Sequence, residues 1–168
     1  MTEYLLVDGY NILHSWPVLK EMTMKDLDQA RARLLHIMAD YQAVSGVKVV
    51  VVFDAHLVKK GTGSRGVVNG VEVIYTAEGE TADMVIEKFA GQVGEGDRMT
   101  VATSDWAQQR IVFGKGAVRL SARELEEEVK AHRKQNQPYL ETPGARRDLG
   151  GRLDDKVREF LERMRRQK

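Results

Sequence analysis

The amino-acid sequence predicts an α/β fold with a central, mostly parallel sheet of about five strands flanked by helices. Two apolar segments, Tyr4–Val7 and Val47–Phe53, have the length and composition of strands that are buried on both faces. Each segment ends at an aspartate, Asp8 or Asp54, and a helical pattern over residues 24–44 separates them. A strand, a helix and a strand in this order form a βαβ unit, in which the two strands run parallel.

The spacing of apolar residues and the positions of glycine and proline predict the other elements. Residues Ile12–Pro17 form a short helix or loop, which ends at its proline. The helix at Met24–Val44 has apolar residues three and four positions apart and stops at Ser45 and Gly46. Residues 56–70 are predicted to be a flexible, glycine-rich loop. The later elements are strands at Val71–Tyr75, Met99–Thr103 and Ala117–Leu120 and helices at Thr81–Val93, Ala107–Phe113, Arg123–Lys134 and Leu153–Met164.

The length and composition favour one globular domain. We expect a domain over residues 1–134, with a basic connector and helix at 135–168 packed on it. The chain has no cysteine, which excludes disulfides, zinc–thiolate sites and cysteine nucleophiles. The first residues do not have the pattern of a signal peptide, and no apolar run reaches the ~20 residues that cross a bilayer. We therefore expect a cytoplasmic protein without a membrane partner or a small-molecule cofactor.

The charges are distributed unevenly along the chain. Residues 1–109 carry 10 Lys and Arg against 15 Asp and Glu, whereas residues 110–168 carry 16 against 10. An acidic body with a basic final third suits a cation site beside a surface that binds a polyanion.

Three predicted strands end at an aspartate, namely Asp8, Asp54 and Asp105, and Asp83 lies in the first turn of a predicted helix. A single aspartate at a strand end is more often a helix cap, but parallel strands bring several such ends to one edge of the sheet. Clustered carboxylates repel one another unless a cation neutralises them. Oxygen ligands alone favour Mg²⁺ or Mn²⁺, which commonly act on phosphate esters. The acidic pocket and the basic surface together predict a nuclease.

Other enzyme classes on similar folds lack their motifs here. Phosphatases of the haloacid-dehalogenase type need a second aspartate where this chain has Tyr10, and receiver domains need an acidic pair after the first strand. No P-loop and no G-x-S-x-G elbow is present. The G-x-G-x-x-G match at 61–66 neither follows a strand nor opens a helix, which argues against dinucleotide binding. The four histidines (His14, His36, His56 and His132) show no metal-ligand spacing.

Four motifs in order resemble the NYN-domain proteins of the YacP type, a branch of the PIN-like nuclease superfamily. They are Val7-Asp8-Gly9-Tyr10-Asn11, Val52-Phe53-Asp54-Ala55-His56, Glu80-Thr81-Ala82-Asp83 and Ala102-Thr103-Ser104-Asp105. The resemblance extends over residues 3–165. It implies a three-layer PIN-like fold with a basic C-terminal helix and a metal-dependent endoribonuclease activity. The family includes a ribosome-associated enzyme that cleaves messenger RNA in the A site of translating ribosomes, so RNA and the ribosome are the implied partners.

The same resemblance implies roles for individual residues. Asp8, Asp83 and Asp105 are the implied catalytic residues and ligands of Mg²⁺ or Mn²⁺. The implied supporting residues are Asn11, which supports Asp8, and Asp54, Glu80, Thr103 and Ser104. The candidate residues that seat RNA or the ribosome are Lys59, Lys60, Arg65, Arg146, Arg147, Arg152, Arg165 and Arg166.

Two tryptophans are candidates for base stacking, and two functions other than a nuclease stay open. Trp16 and Trp106 each follow a predicted strand end and could stack on a base, although core packing is the better interpretation for Trp106. The alternatives to a nuclease are a module that binds RNA or the ribosome without cleaving it, and a phosphatase that acts on small phosphate esters.

Overall fold

The computed structural model describes residues 2–54, 62–94, 96–104 and 117–135. Within these ranges the chain forms six strands and five helices. In chain order they are β1 (Glu3–Asp8), α1 (Gly9–Ser15), α2 (Pro17–Lys25), α3 (Leu27–Ser45), β2 (Lys48–Phe53), β3 (Thr62–Val68), β4 (Val71–Ala77), α4 (Ala82–Gln92), β5 (Arg98–Ala102), β6 (Val118–Leu120) and α5 (Ala122–Gln135).

The six strands form one sheet in the order β3-β4-β2-β1-β5-β6. All neighbours pair in parallel except β3, which runs antiparallel to β4. The parallel strands therefore end at the same side of the sheet, which we call the carboxyl edge. The first strand of the chain is central, so its last residue lies in the middle of this edge. The predicted α/β class and the mostly parallel sheet are confirmed.

Side chains alternate between the two faces of the sheet, and each face has its own apolar core. Leu5 and Val7 of β1 pack with α1, α2, α3 and α5 on one face, which we call the α3 face. Tyr4 and Leu6 pack on the other face with α4, and we call it the α4 face. Helices on both sides of the sheet give the three layers that the sequence predicts.

Three helices, α1, α2 and α3, lie between β1 and β2. The sequence predicts a short helix or loop at Ile12–Pro17 and one helix that begins at Met24. A proline at the first helical position tolerates the missing N–H, so Pro17 ends α1 and also opens α2. The side chain of Asp26 accepts hydrogen bonds from the backbone N atoms of Asp28 and Gln29, at 3.0 and 3.3 Å, and thereby starts α3. The predicted stop is confirmed, because Gly46 caps α3 in the left-handed conformation at φ 76°.

The prediction of a loop up to residue 70 is wrong for residues 62–68, which form the edge strand β3. A two-residue turn of Asn69 (φ 51°) and Gly70 (φ 87°) connects β3 to β4, and Val68 pairs with Val71 across it. Such turns need positive φ at both residues, which Asn-Gly provides at low cost. The Asn-Gly pair was therefore the sequence signal for this hairpin, and it accounts for the sixth strand.

Some predictions fall outside the described ranges. These are the helices at Ala107–Phe113 and Leu153–Met164, and the division into residues 1–134 and 135–168 also stays a prediction. In the part of the chain that the structure describes, no helix is long and apolar enough to cross a membrane.

The hairpin turn makes a prediction about stability. Gly70→Ala should lower the free energy of unfolding by about 1–2 kcal/mol, because an L-residue in the left-handed region brings its Cβ close to a carbonyl oxygen. Gly66→Ala is the control in the same hairpin, since a Cβ there meets nothing within 4 Å. Urea unfolding of both variants measures the difference, and equal stabilities would contradict the turn assignment.

Candidate active site

Asp8 ends the central strand, and its side chain is held by the neighbouring strand. The side chain is 8% exposed and makes no cap hydrogen bond with α1, so the helix-cap interpretation of this aspartate does not apply. Its Oδ2 atom accepts a hydrogen bond from the Thr103 hydroxyl at 3.3 Å. Thr103 is fully buried and directly follows β5. The predicted supporting role of Thr103 therefore corresponds to a direct contact with Asp8.

Gly9 turns the chain from β1 directly into α1, and no side chain fits at this position. A Cβ atom on Gly9 would lie 2.4 Å from Cδ1 and Cε1 of Phe53 and 3.1 Å from the backbone oxygen of Val52. The close approach of α1 to β2 therefore depends on glycine. It also leaves Asp8 as the last strand residue at the carboxyl edge.

The alternation of side chains places the strand-end groups on one face. Asp8 continues the alternation of Tyr4 and Leu6, and Asp54 continues that of Val50 and Val52, toward the α4 face. Thr103 follows Met99 and Val101 in the same way. The two carboxylates and the hydroxyl therefore share both the carboxyl edge and the α4 face.

The first turn of α4 brings Asp83 to this face. Thr81 caps the helix by accepting a hydrogen bond from the backbone N of Met84 at 3.2 Å. The backbone N of Ala82 donates to Oδ2 of Asp54 at 3.4 Å, so Asp54 joins the end of β2 to the start of α4. A carboxylate at a helix N-terminus is also stabilised by the helix dipole. Asp83 is half-buried in this turn, and its Oδ1 atom is inaccessible to solvent.

Glu80 stabilises the connection between β4 and α4. Its Oε1 atom accepts from the backbone N of Ala77 at 3.4 Å, and its Oε2 atom lies 3.8 Å from Nζ of Lys88. These contacts give Glu80 a supporting role in the turn that precedes Asp83.

Asn11 and Ser104 contact each other beside Asp8. Oδ1 of Asn11 accepts from the backbone N of Ser104 at 2.8 Å, and Oγ of Ser104 accepts from the backbone N of Ala122 at 3.3 Å. The polar contact of Asn11 is thus with the end of β5, while the resemblance implies a contact with Asp8. The supporting roles of Asn11 and Ser104 in the site stay predictions.

Comparisons with known proteins identify the family and the fold of this chain. The profile of the YacP-like NYN domain matches residues 5–166. The chain belongs to the YacP-like NYN domain family. It is 48% identical over 128 residues to YacP of Bacillus subtilis (strain 168), which covers 76% of this chain and 75% of that protein.

Solved structures of Rae1 (YacP) from Bacillus subtilis show the same fold. One has a TM-score of 0.73 at 41% identity and covers 98% of this chain and 95% of that chain. A tryptophan-to-leucine variant of that protein has a TM-score of 0.70 at 37% identity, with 92% of this chain and 99% of that chain covered. Membership of the NYN family supports an RNA-related function and suggests a nuclease, and nucleases of this kind generally use divalent metals.

The donor chemistry of the NYN domain fits a hard divalent cation. The edge presents the carboxylates of Asp8, Asp54 and Asp83, and oxygen donors of this kind favour Mg²⁺ or Mn²⁺. Among the described residues alone, no three His, Cys, Asp or Glu side chains form a group that could hold a metal ion. Asp105, the third ligand implied by the resemblance, directly follows Ser104 in the sequence and lies outside the described residues.

Arg65 is the one predicted RNA-seating residue within the described ranges. It is half-buried on β3, where it pairs with Ile74 of β4. Residues opposite each other across two strands point to the same face, so Arg65 lies on the α4 face with the carboxylates. The other predicted RNA-seating residues lie outside the described ranges, namely Lys59, Lys60, Arg146, Arg147, Arg152, Arg165 and Arg166.

The prediction that Trp16 stacks on a base is wrong. Its side chain is 5% exposed, and Nε1 donates to the backbone oxygen of Ala122 at 2.7 Å. A buried indole packs in the core and satisfies its N–H there, so it offers no face to RNA. Trp106 lies outside the described residues.

A network of aromatic residues supports the edge from the α3 face and had no sequence signal. The Phe53 ring lies 5.2 Å from that of Tyr10 and stacks on that of Tyr75 at 5.4 Å. Arg31 donates to the Tyr10 hydroxyl at 3.0 Å. Burial raises the pKa of Tyr75, so this phenol remains neutral at physiological pH. Burial alone would lower the pKa of Arg31, but the Tyr10 hydrogen bond and the charges of Tyr10, Tyr75 and Asp28 together raise this pKa.

The contact between Thr103 and Asp8 makes a testable prediction. Thr103→Val should lower the free energy of unfolding by roughly 1–3 kcal/mol, because the buried Asp8 oxygen loses a donor. Thr100→Val is the control on the same strand, since Thr100 is half-buried and lies on the α3 face. Urea unfolding of both variants checks the difference, and equal losses would contradict a specific role for the Thr103 hydroxyl.

Proposed function

We propose that this protein is a metal-dependent endoribonuclease that hydrolyses RNA phosphodiester bonds, and that its substrate is messenger RNA in the A site of translating ribosomes. The observation that carries the proposal is the buried carboxylate of Asp8 at the end of the central strand. It shares a face with Asp54 and Asp83 and is oriented by Thr103. Burying a carboxylate is costly, and a module that only bound RNA would have no use for it.

The proposed ligands of the ion are Asp8, Asp83 and Asp105. When bound, Mg²⁺ or Mn²⁺ would lower the pKa of a water and neutralise charge on the phosphate. Thr103 orients the Asp8 carboxylate through its hydroxyl. Asp54 bonds the first turn of α4 and so sets the position of Asp83 on that turn. Family membership and the all-oxygen donor set both support this assignment.

Three basic residues in the sequence between Asp54 and the end of β3 suit the RNA backbone. Arg65 lies on the α4 face of the edge strand, and a guanidinium forms bidentate contacts with phosphate. Lys59 and Lys60 belong to the segment between Asp54 and Thr62, and both of these flanking residues lie at the carboxyl edge. We propose that these three cations seat the phosphates on either side of the scissile bond.

The proposed ribosome contact uses the basic final third of the chain. Arg146, Arg147, Arg152, Arg165 and Arg166 are the candidates, and charge steering would bring them to ribosomal RNA. A ribosomal substrate implies a cytoplasmic protein. A phosphatase for small esters would have no use for these residues.

The test compares wild type with Asp8→Asn and Asp83→Asn. Each protein is incubated with translating ribosomes and with free RNA, in Mg²⁺, Mn²⁺ or chelator, and the RNA ends are mapped. We expect metal-dependent cleavage by wild type and a loss of at least roughly 10²-fold in each variant, the scale for removing one electrostatic group from an active site.

Asp28→Asn is the matched control, because it makes the same change at a side chain that is 84% exposed on α3. It should cleave like wild type. If nothing is cut under any condition, or if Asp8→Asn and Asp83→Asn cut like the control, the nuclease proposal is wrong. Turnover of a generic phosphomonoester by wild type but not by Asp8→Asn would favour the phosphatase.

A further inference from the structure

The indole of Trp16 joins two distant parts of the chain. Trp16 lies between α1 and α2, and its Nε1 atom donates to the backbone oxygen of Ala122, which is 106 residues later in the sequence. Ala122 is the first residue of α5, and β6 ends at Leu120, so this contact lies at the carboxyl edge. The contact therefore connects the elements on either side of the end of β5.

Three hydrogen bonds make a closed circuit around that strand end. The Trp16 indole donates to Ala122 at 2.7 Å, the Ala122 N–H donates to the Ser104 hydroxyl oxygen at 3.3 Å, and the Ser104 N–H donates to Asn11 Oδ1 at 2.8 Å. Asn11 lies on α1, the helix that leads to Trp16. We call the side chains of Asn11, Trp16 and Ser104, together with the Ala122 backbone, the Trp16 clasp.

The start of α5, where Ala122 lies, is fixed independently of the clasp. Oγ of Ser121 accepts from the backbone N of Glu124 at 3.1 Å, and Oε1 of Glu124 accepts from the backbone N of Ser121 at 3.4 Å. This reciprocal pair is a capping box, which leaves the Ala122 N–H in need of an acceptor. Ser104 provides that acceptor. The position of Ser104 is therefore fixed relative to the first turn of α5, which the capping box already holds in place.

The clasp acts where the sheet no longer holds β5 against β1. The ladder between these strands ends at the pair Val7–Ala102, and the backbone N of Thr103 donates to Leu120 of β6 at 3.0 Å. Beyond Ala102, the Thr103 hydroxyl on Asp8 and the Asn11 contact with Ser104 connect this chain segment to β1 and α1. The path on which the chain leaves β5 beside Asp8 is therefore set by side chains.

We infer that Trp16 is a positioning residue of the proposed nuclease: through Ala122 and Ser104 it fixes the end of β5 against Asp8. The inference rests on the proposed function. Trp16 is 5% exposed and does not touch the substrate. Its loss should therefore lower turnover and leave the RNA concentration for half-maximal rate nearly unchanged. A purely structural tryptophan would affect stability alone.

The test compares Trp16→Phe with Tyr41→Phe. Each variant keeps an aromatic ring, although Trp16→Phe replaces the indole with a smaller phenyl ring. Each variant also removes one long-range donor, because the Trp16 indole donates to Ala122 and the Tyr41 hydroxyl donates to Oε2 of Glu128 at 3.1 Å. Tyr41 lines a cavity of about 420 Å³ with Glu3 and Arg98, the first residues of β1 and β5, at the edge opposite Asp8. Tyr41→Phe therefore measures how much the loss of a comparable hydrogen bond away from the site lowers stability and turnover.

We expect Trp16→Phe to lower turnover by roughly 10- to 100-fold, the cost of misplacing a reacting group by up to about 1 Å. Hydrogen exchange at the amide of Ser104 should accelerate in Trp16→Phe and stay unchanged in Tyr41→Phe. The control should lose stability and keep wild-type turnover. Ser104→Ala tests the clasp from its exposed side and should show the same signature as Trp16→Phe. In the double variant Trp16→Phe with Ser104→Ala, turnover should fall by a smaller factor than the product of the two single-variant factors.

The outcomes separate the two proposals. If wild type cleaves RNA and both Trp16→Phe and Ser104→Ala keep wild-type turnover, the positioning inference is overturned and the nuclease stands. The inference is also overturned if Tyr41→Phe slows turnover as much as Trp16→Phe does. If wild type cleaves no RNA under any condition, the proposed function fails and the inference fails with it.

Discussion

The structure depends on one unfavourable placement, a buried carboxylate at the end of the central strand. Removing Asp8 from water is costly, and the fold offsets this cost locally. The Thr103 hydroxyl supplies a hydrogen bond, and the close approach at Gly9 allows α1 to begin without using Asp8 as its cap. The Asp8 carboxylate is therefore neither a helix cap nor a surface group.

The alternation of side chains along each strand determines which face the polar groups at the carboxyl edge occupy. Side chains two residues apart along a strand point to the same face. Asp8, Asp54 and Thr103 each follow a residue of the α4 face by two positions, so all three lie on the α4 face. The opposite face is filled by the aromatic network of Phe53, Tyr10 and Tyr75. One face of the carboxyl edge thus carries packed aromatic rings, while the other face carries the acidic groups.

The elements that the sequence predicted well are those with apolar patterns. The strands β1 and β2 are buried on both faces, so continuous apolar runs marked them, and the aspartates at their ends marked the edge. Edge strand β3 escaped prediction because its Gly, Ser and Arg residues lack that pattern. The Trp16 contact was not predictable either, since its acceptor is a backbone oxygen of Ala122, and any residue type carries one. Aspartate is a common N-cap residue, so Asp26 could have been recognised in the sequence as the start of α3.

The order of the strands has a consequence for how the protein is made. The Asp8–Thr103 contact spans 95 residues and the Trp16–Ala122 contact spans 106, so both are highly non-local. Contacts of this kind form late, after the cost of closing long chain loops has been met. A nascent chain that has only reached β4 has Asp8 paired with β2 but without β5 and Thr103. The Asp8–Thr103 contact can therefore form only after the chain has been synthesised beyond residue 103, well past the middle of its 168 residues.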